Sequence, residues 1–340
     1  MSRCHYTPSP RQMSMAELNH NKTLNMRLAD HLRSLAVELN DPRYQSQAER
    51  VHYCSTFWQG MYCPQCKKYH YMHTTGCKHR LCPICATRAS RVTAAQALEA
   101  MEWMHNRHEG LKCSLLTLTQ RNVEGPALND EISRMLKGWY NVINQRLFRY
   151  GTIGWARTIE IVPSINHDGT YHPHVHAIIV HKGDLRLSLE WFVQRWRAGM
   201  HLDYDPVCDL RPIDDEEGAV YEVSKYISKM TRVFDMSPQE HDHVRWLAEA
   251  TYNRRLRTYG GDWREARMQL SQRPVEIMED DEISEYGEMQ NLDAICPHCS
   301  SATIFSTLRW AGLKYVTLPD QISVIPFPTT FQEKVNGPVK

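Results

Sequence analysis

With 340 residues, 42% of them hydrophobic and 23% charged, the chain has room for two domains and the composition of a folded globular protein, not a disordered one. A formal net charge of +1 excludes nucleic-acid binding through overall charge, so any such contact has to come from local patches. No stretch reaches the roughly eighteen apolar residues of a membrane-spanning helix, and Met1-Ser-Arg-Cys-His-Tyr6 lacks an apolar run of the secretory kind. A cytoplasmic setting without membrane partners is expected, in which the eleven cysteines stay reduced and several can bind metal.

Residues 1–53 are polar, with helical spacing of apolar residues from Met15 to Leu39, and carry no recognisable chemistry. A cysteine-rich module and a helix over Arg91–His105 fill residues 54–110. There Cys63-Pro-Gln-Cys66 and Cys82-Pro-Ile-Cys85 form two knuckles separated by fifteen residues. That interval suits a four-cysteine zinc site with thiolates at ~2.3 Å from the ion. Cys77, His79, His70 and His73 lie between the knuckles, so the ligand set stays open, with Cys77 a possible member. A closed four-ligand site leaves no position for substrate, which makes the expected zinc structural. Lys78, Arg80, Arg88 and Arg91 flank it and could meet DNA phosphates.

A catalytic domain is expected over residues 111–270. Ser114–Thr119 reads as a strand, rich in apolar and β-branched residues. Ile132, Met135, Leu136, Trp139, Ile143 and Leu147 then recur at helical spacing, with Asn129 as N-cap. A strand over Trp155–Val162 follows, then a loop containing Asp168-Gly169, then a strand from His172 through Val180. Ser188 is placed to cap a helix through Met200; helices are expected over Gly218–Val233 and Gln239–Tyr259. Residues 271–340 read as an acidic linker and a β-like tail. Cys296-Pro-His-Cys299 in that tail is only half a site and is not expected to hold a second zinc unless His298 or a partner cysteine completes it. Interspersed strands and helices, with a hairpin between the second and third strands, predict an α+β fold, helices flanking an antiparallel sheet.

Two segments carry the chemistry. In His172-Pro-His174-Val-His176 the three imidazoles alternate along a strand and share a face, a costly arrangement without a metal or counter-charge. Glu160 on the preceding strand is the natural carboxylate ligand. A two-residue hairpin at Asp168-Gly169 would set Glu160 opposite Ala177, out of phase; a longer loop or a bulge would bring it into line. In Glu222-Val-Ser-Lys-Tyr226-Ile-Ser-Lys229 a helical turn of ~100° per residue gathers Glu222, Tyr226 and Lys229 on one stripe. Val220, Val223, Ile227 and Met230 fall on another face and could pack on the sheet. A tyrosine with a pKa near ~10 needs help to attack phosphorus at neutral pH. A divalent ion could polarise the phosphate, Lys229 could stabilise the phenolate, and Glu222 could activate water or orient the site.

Three landmarks in this order resemble the replication initiators of rolling-circle plasmids, within the histidine–hydrophobic–histidine (HUH) endonuclease class: Leu115-Leu-Thr-Leu-Thr119, His172-Pro-His-Val-His176 and Glu222-x-x-Lys225-Tyr226-x-x-Lys229. The segment ending Cys77-Lys-His-Arg80-Leu-Cys82-Pro-Ile-Cys85 is similar to the family's N-terminal finger. The resemblance covers roughly residues 60–265. It implies a five-stranded antiparallel sheet with the histidines on a central strand. It also implies His174 and His176 as ligands of Mg²⁺ or Mn²⁺, Glu160 as third ligand and His172 as a further candidate. Tyr226 would nick the origin and keep the 5′-phosphate, leaving a 3′-hydroxyl primer. Glu222 would let water end the cycle, as in the single-tyrosine branch. The implied partners are single-stranded or cruciform origin DNA, a host helicase and a DNA polymerase; the oligomeric state is not indicated. Conjugative relaxases and single-strand transposases use the same chemistry, and a zinc-containing DNA-binding regulator without nicking activity is the alternative from another class.

Overall fold

The computed structural model describes residues 14–164, 169–214, 218, 220, 234, 239–270, 295, 296 and 298–318. The chain forms two compact units that do not follow chain order: residues 21–54 with 76–279, and residues 1–20 with 55–75 and 280–340. Helices and antiparallel sheets make up both the expected α+β class and the observed one.

The larger unit is built on a sheet of strands β3 (Leu111–Leu118), β5 (Gly154–Pro163), β6 (Thr170–Lys182), β7 (Cys208–Ile213) and β8 (Arg257–Gly261). Their order is β7-β3-β6-β5-β8, every pairing is antiparallel, and the two-residue β4 (Val123–Glu124) adds to β6. The histidine strand β6 is therefore central. Side chains alternate across it, and each face has its own cover. Val175, Ala177 and Ile179 share a face with Trp155, Ile159 and Ile161, all buried. That face meets α4 (Gly125–Ile143), α5 (Arg146–Gly151) and α6 (Leu189–Met200) through aromatic edge contacts. Trp139 sits 5.2 Å from Trp155 and 6.1 Å from Phe148, and Phe148 sits 6.3 Å from Phe192.

On the opposite face α3 (Pro83–His105) and α8 (Asp262–Leu270) cover Cys113, Leu115, Ala156, Ile178 and Val180. Gly154 allows the close approach of α8, since a Cβ there would lie 2.9 Å from the Trp263 backbone nitrogen. Among the described residues, this apolar cluster does not include Glu160, His174 or His176, which lie further along the same face. One face thus holds an apolar core at one end and the polar cluster at the other.

Two sequence expectations shift here. Helix α4 starts at Gly125, with Pro126 in its first turn, so Asn129 lies inside the helix and does not cap it. The helix expected through Tyr259 is α7 (Glu240–Thr251), and Arg257–Gly261 instead pairs with β5 as the edge strand β8. Helix α6 begins as expected, Ser188 Oγ accepting the Trp191 N–H at 3.2 Å. Helices α1 (Met15–Glu38) and α2 (Pro42–Tyr53) complete the N-terminal part.

The smaller unit holds a second antiparallel sheet, β10-β9-β1-β2, from β1 (Phe57–Cys63), β2 (Lys68–His73), β9 (Ile304–Trp310) and β10 (Tyr315–Thr317). It pairs Phe57 with Arg309 and Tyr62 with Ile304. Trp58, Met61, Tyr69, Leu308 and Tyr315 are buried, and Trp58 Nε1 donates to Tyr315 Oη at 3.1 Å.

Candidate active site and cysteine clusters

The β5–β6 register sets Glu160 opposite His174, Thr158 opposite His176 and Val162 opposite His172. The loop is longer than the two-residue hairpin, the Ser164 N–H bonding the Thr170 carbonyl at 2.9 Å, and this brings Glu160 onto the histidine face. Strand β3 adds Thr117 opposite His176.

Both imidazoles aim at one oxygen. His174 Nε2 lies 2.7 Å and His176 Nε2 2.9 Å from Glu160 Oε2, with Glu160 and His176 buried. The Nδ1–H of His174 donates to the His172 carbonyl at 3.1 Å, and His176 Nδ1 meets Thr117 Oγ1 at 3.2 Å. A carbonyl can only accept, so His174 carries its proton on Nδ1, and a neutral ring would point the Nε2 lone pair at a carboxylate. Two lone pairs at that separation repel unless a cation lies between them, either a proton or a metal ion. Two imidazole nitrogens and one carboxylate oxygen, all within 4.8 Å of one another, are a donor set that fits a divalent ion. His172 is not in this group. Its ring is 5.2 Å from that of His174, and its Nδ1 meets Asn122 Oδ1 at 2.9 Å. Burial, and then neighbouring His174, hold His172 below the usual imidazole range.

Tyr226, Glu222 and Lys229 lie outside the described residues. Val220, six residues before Tyr226, is helical and buried, and packs with Ala156 and Ile178 on the histidine face of the sheet.

The cysteines correct the expected zinc site. Cys63, Cys66, Cys82 and Cys85 do not come together. Cys82 and Cys85 join Cys54 and Cys77, while Cys63 and Cys66 join Cys296 and Cys299. The physical reason lies in the chain path: after Cys54 it leaves for the β1–β2 hairpin, carrying Cys63 and Cys66 with it, and returns at Gly76. Either set of four could hold zinc. In the first, Cys54 Sγ lies 3.7 Å from Cys82 Sγ and 3.6 Å from Cys85 Sγ, and Cys77 lies 3.7 Å from Cys85. Cys82 caps α3 and accepts the Cys85 N–H at 3.4 Å, so the helix N-terminus faces the sulfurs, while burial and then the Cys54 thiol push the Cys82 thiol well up. Lys22, fully buried, donates from Nζ to the carbonyls of His52 and Cys54, both at 2.6 Å. Burial lowers its pKa, and Cys54, Cys82 and Cys77 pull it back up.

The family model for a replication protein (Rep_1) matches residues 68–303, which span the histidine strand, the tyrosine segment and both cysteine clusters' later members. The chain belongs to this replication-protein family. Its relatives include a "Protein rep" of Bacillus amyloliquefaciens, 30% identical over 72% of this chain and 79% of the relative. Another, from Bacillus sp, is 31% identical over 72% of this chain and 87% of the relative. A third, from Streptococcus pneumoniae serotype 2, is 28% identical over 59% and 65% respectively. No solved structure matches the chain. Among the described residues of this Rep protein no helix is long and apolar enough to cross a membrane.

Sequence reasoning missed Cys54, Thr117 and Asn122. Cys54 has no second cysteine at knuckle spacing, so only its place among a cluster of cysteines could have flagged it. Thr117 stands between Leu116 and Leu118 in the apolar second half of β3, a signal that this position faces something polar.

Proposed function

We propose that this Rep protein initiates plasmid rolling-circle replication in the cytoplasm by nicking one strand of the origin through a 5′-phosphotyrosine at Tyr226. The observation that carries the reading is the convergence of His174 and His176 on Glu160 Oε2 on a central strand. Mg²⁺ or Mn²⁺, bound there by Glu160, His174 and His176, would polarise the scissile phosphate and offset charge developing on it. Tyr226 Oη forms a bond to phosphorus as the P–O3′ bond breaks, and the departing oxygen takes a proton to become the 3′-hydroxyl primer. One phosphodiester is exchanged for another, so its energy is kept for rejoining. Lys229 stabilises the phenolate, and Glu222 activates the water that ends the cycle. His172, held by Asn122, borders the ligands and orients His174 through its carbonyl.

Support for the position of Tyr226 comes from Val220. It is buried with Ala156 and Ile178, two residues before Thr158 and two after His176 on the strands and face that carry Glu160 and the histidines. Support for a single-stranded substrate comes from Arg121, whose guanidinium stacks 3.9 Å from the Tyr204 ring, beside the Asn122 that holds His172. The outer face of the exposed guanidinium suits an unstacked base. Cruciform or single-stranded origin DNA is thus the substrate, with a host helicase and polymerase extending the primer. Zn²⁺ at Cys54, Cys77, Cys82 and Cys85 shapes the start of α3.

The test is a denaturing gel of purified protein with labelled single-stranded origin DNA and Mn²⁺. Wild type is expected to form a metal-dependent protein–DNA adduct that Tyr226→Phe abolishes. An adduct that survives the substitution sinks the assignment of Tyr226. A folded, metal-loaded wild type that binds the origin without any adduct makes the protein a DNA-binding regulator.

A further inference from the structure

The smaller unit draws its second cysteine cluster from two stretches of chain far apart in sequence. Cys63 ends β1 and Cys66 lies in the turn to β2; Cys296 and Cys299 lie just before β9. The two stretches are built alike. Each reads Cys-Pro-x-Cys, and each is followed by a residue in the left-handed region, Lys67 at φ 55° and Ser300 at φ 54°. That conformation turns the chain back sharply, so both sulfurs of a knuckle face one point. In the first knuckle the Cys66 N–H points at Cys63 Sγ at 3.5 Å; in the second, Ser300 N–H closes onto the Cys296 carbonyl at 2.9 Å.

Across the knuckles, Cys63 Sγ is 3.5 Å from Cys299 Sγ and Cys66 Sγ is 3.5 Å from Cys296 Sγ and 3.8 Å from Cys299 Sγ. A tetrahedron with zinc–sulfur bonds of ~2.3 Å has edges of ~3.8 Å. Sulfurs at these separations are too far apart for a disulfide, at ~2.05 Å. A fully buried ring provides a second pointer: His70 Nε2 lies 3.3 Å from Cys296 Sγ, as an N–H donor to a thiolate would.

We infer that Zn²⁺ binds Cys63, Cys66, Cys296 and Cys299 as a second closed site, and that this ion joins the two halves of the smaller unit. Four thiols give up four protons as four zinc–sulfur bonds form, with no change of oxidation state. The C-terminal cysteine pair is then a structural partner of the β1–β2 hairpin, and β9 is held in register by the ion as well as by its backbone bonds to β1.

The test uses the full chain, purified under reducing conditions, with metal counted by native mass spectrometry and elemental analysis. Wild type is expected to carry two zinc ions per chain, and Cys296→Ser/Cys299→Ser one. Cys77→Ser/Cys82→Ser should retain the ion at Cys63, Cys66, Cys296 and Cys299, which separates this inference from the zinc proposed at the first cluster. Should the serine variants misfold, ¹¹³Cd-substituted wild type decides: two resonances in the four-thiolate range support the inference. A wild type whose zinc content is unchanged by Cys296→Ser/Cys299→Ser overturns it. So does a native mass lower by four hydrogens, which would mean two disulfides.

Discussion

The histidine centre and the cysteine clusters are assembled in opposite ways. Glu160, His174 and His176 come from two strands joined by one loop, and the ladder that holds the sheet together also fixes their positions. The cysteines come from turns and helix ends, and one cluster recruits ligands as remote as Cys63 and Cys299. In the sheet the fold makes the site. In the clusters, a bound zinc ion would contribute to the fold. Losing a ligand should therefore have different consequences in the two places: function without much stability in the first, stability before function in the second.

The largest expected effect tests the second half of that contrast. A structural zinc contributes on the order of 10 kcal/mol to folding, comparable with the whole stability of a domain. Cys82→Ser, which also removes the cap of α3, should abolish the cooperative thermal transition of the larger unit in a calorimeter. A normal transition would mean that the cluster is dispensable. Glu160→Gln should do the reverse, leaving the melting temperature within a few degrees while adduct formation in Mn²⁺ falls by about 100-fold or more. An equal loss of stability would erase the distinction between the two regions. Thr117→Val keeps the shape of the side chain but removes the oxygen beside His176 Nδ1, and should weaken Mn²⁺ binding by about 10-fold in titration calorimetry. The smallest effect calibrates the sheet unit without touching either metal region. Ser188→Ala should lower its stability by about 1 kcal/mol in denaturant unfolding, with adduct formation unchanged.

The same contrast explains what could be read from the sequence. Alternation along His172–His176 requires only the two-residue period of a strand, and helix α6 announces itself through Ser188. The partnership of Glu160 with His174 depended on the length of one loop, an alternative that the residues left open. Cysteine partnership had no such local rule. Spacing suggested that Cys63 and Cys66 belong with Cys82 and Cys85, because chain proximity is the only guide when nothing reveals that the intervening hairpin pairs with β9. Strand β8 was hidden for a related reason: Arg257–Gly261 follows a helix with no break other than the short turn after Thr251, and it becomes a strand only because β5 offers an edge. Membership of the replication-protein family, by contrast, was legible in three short motifs carried in order.

Lys22 has one more implication. Its ammonium sits in the interior of the larger unit against the carbonyls of His52 and Cys54, on a helix that begins at Met15. Withdrawing that helix would leave two buried carbonyls without a donor, a cost that opposes its release. The N-terminal helix is therefore a bolt, not a tether. A chain shortened to begin after Lys22 would leave the His52 and Cys54 carbonyls without their ammonium partner, next to the Cys54 thiol.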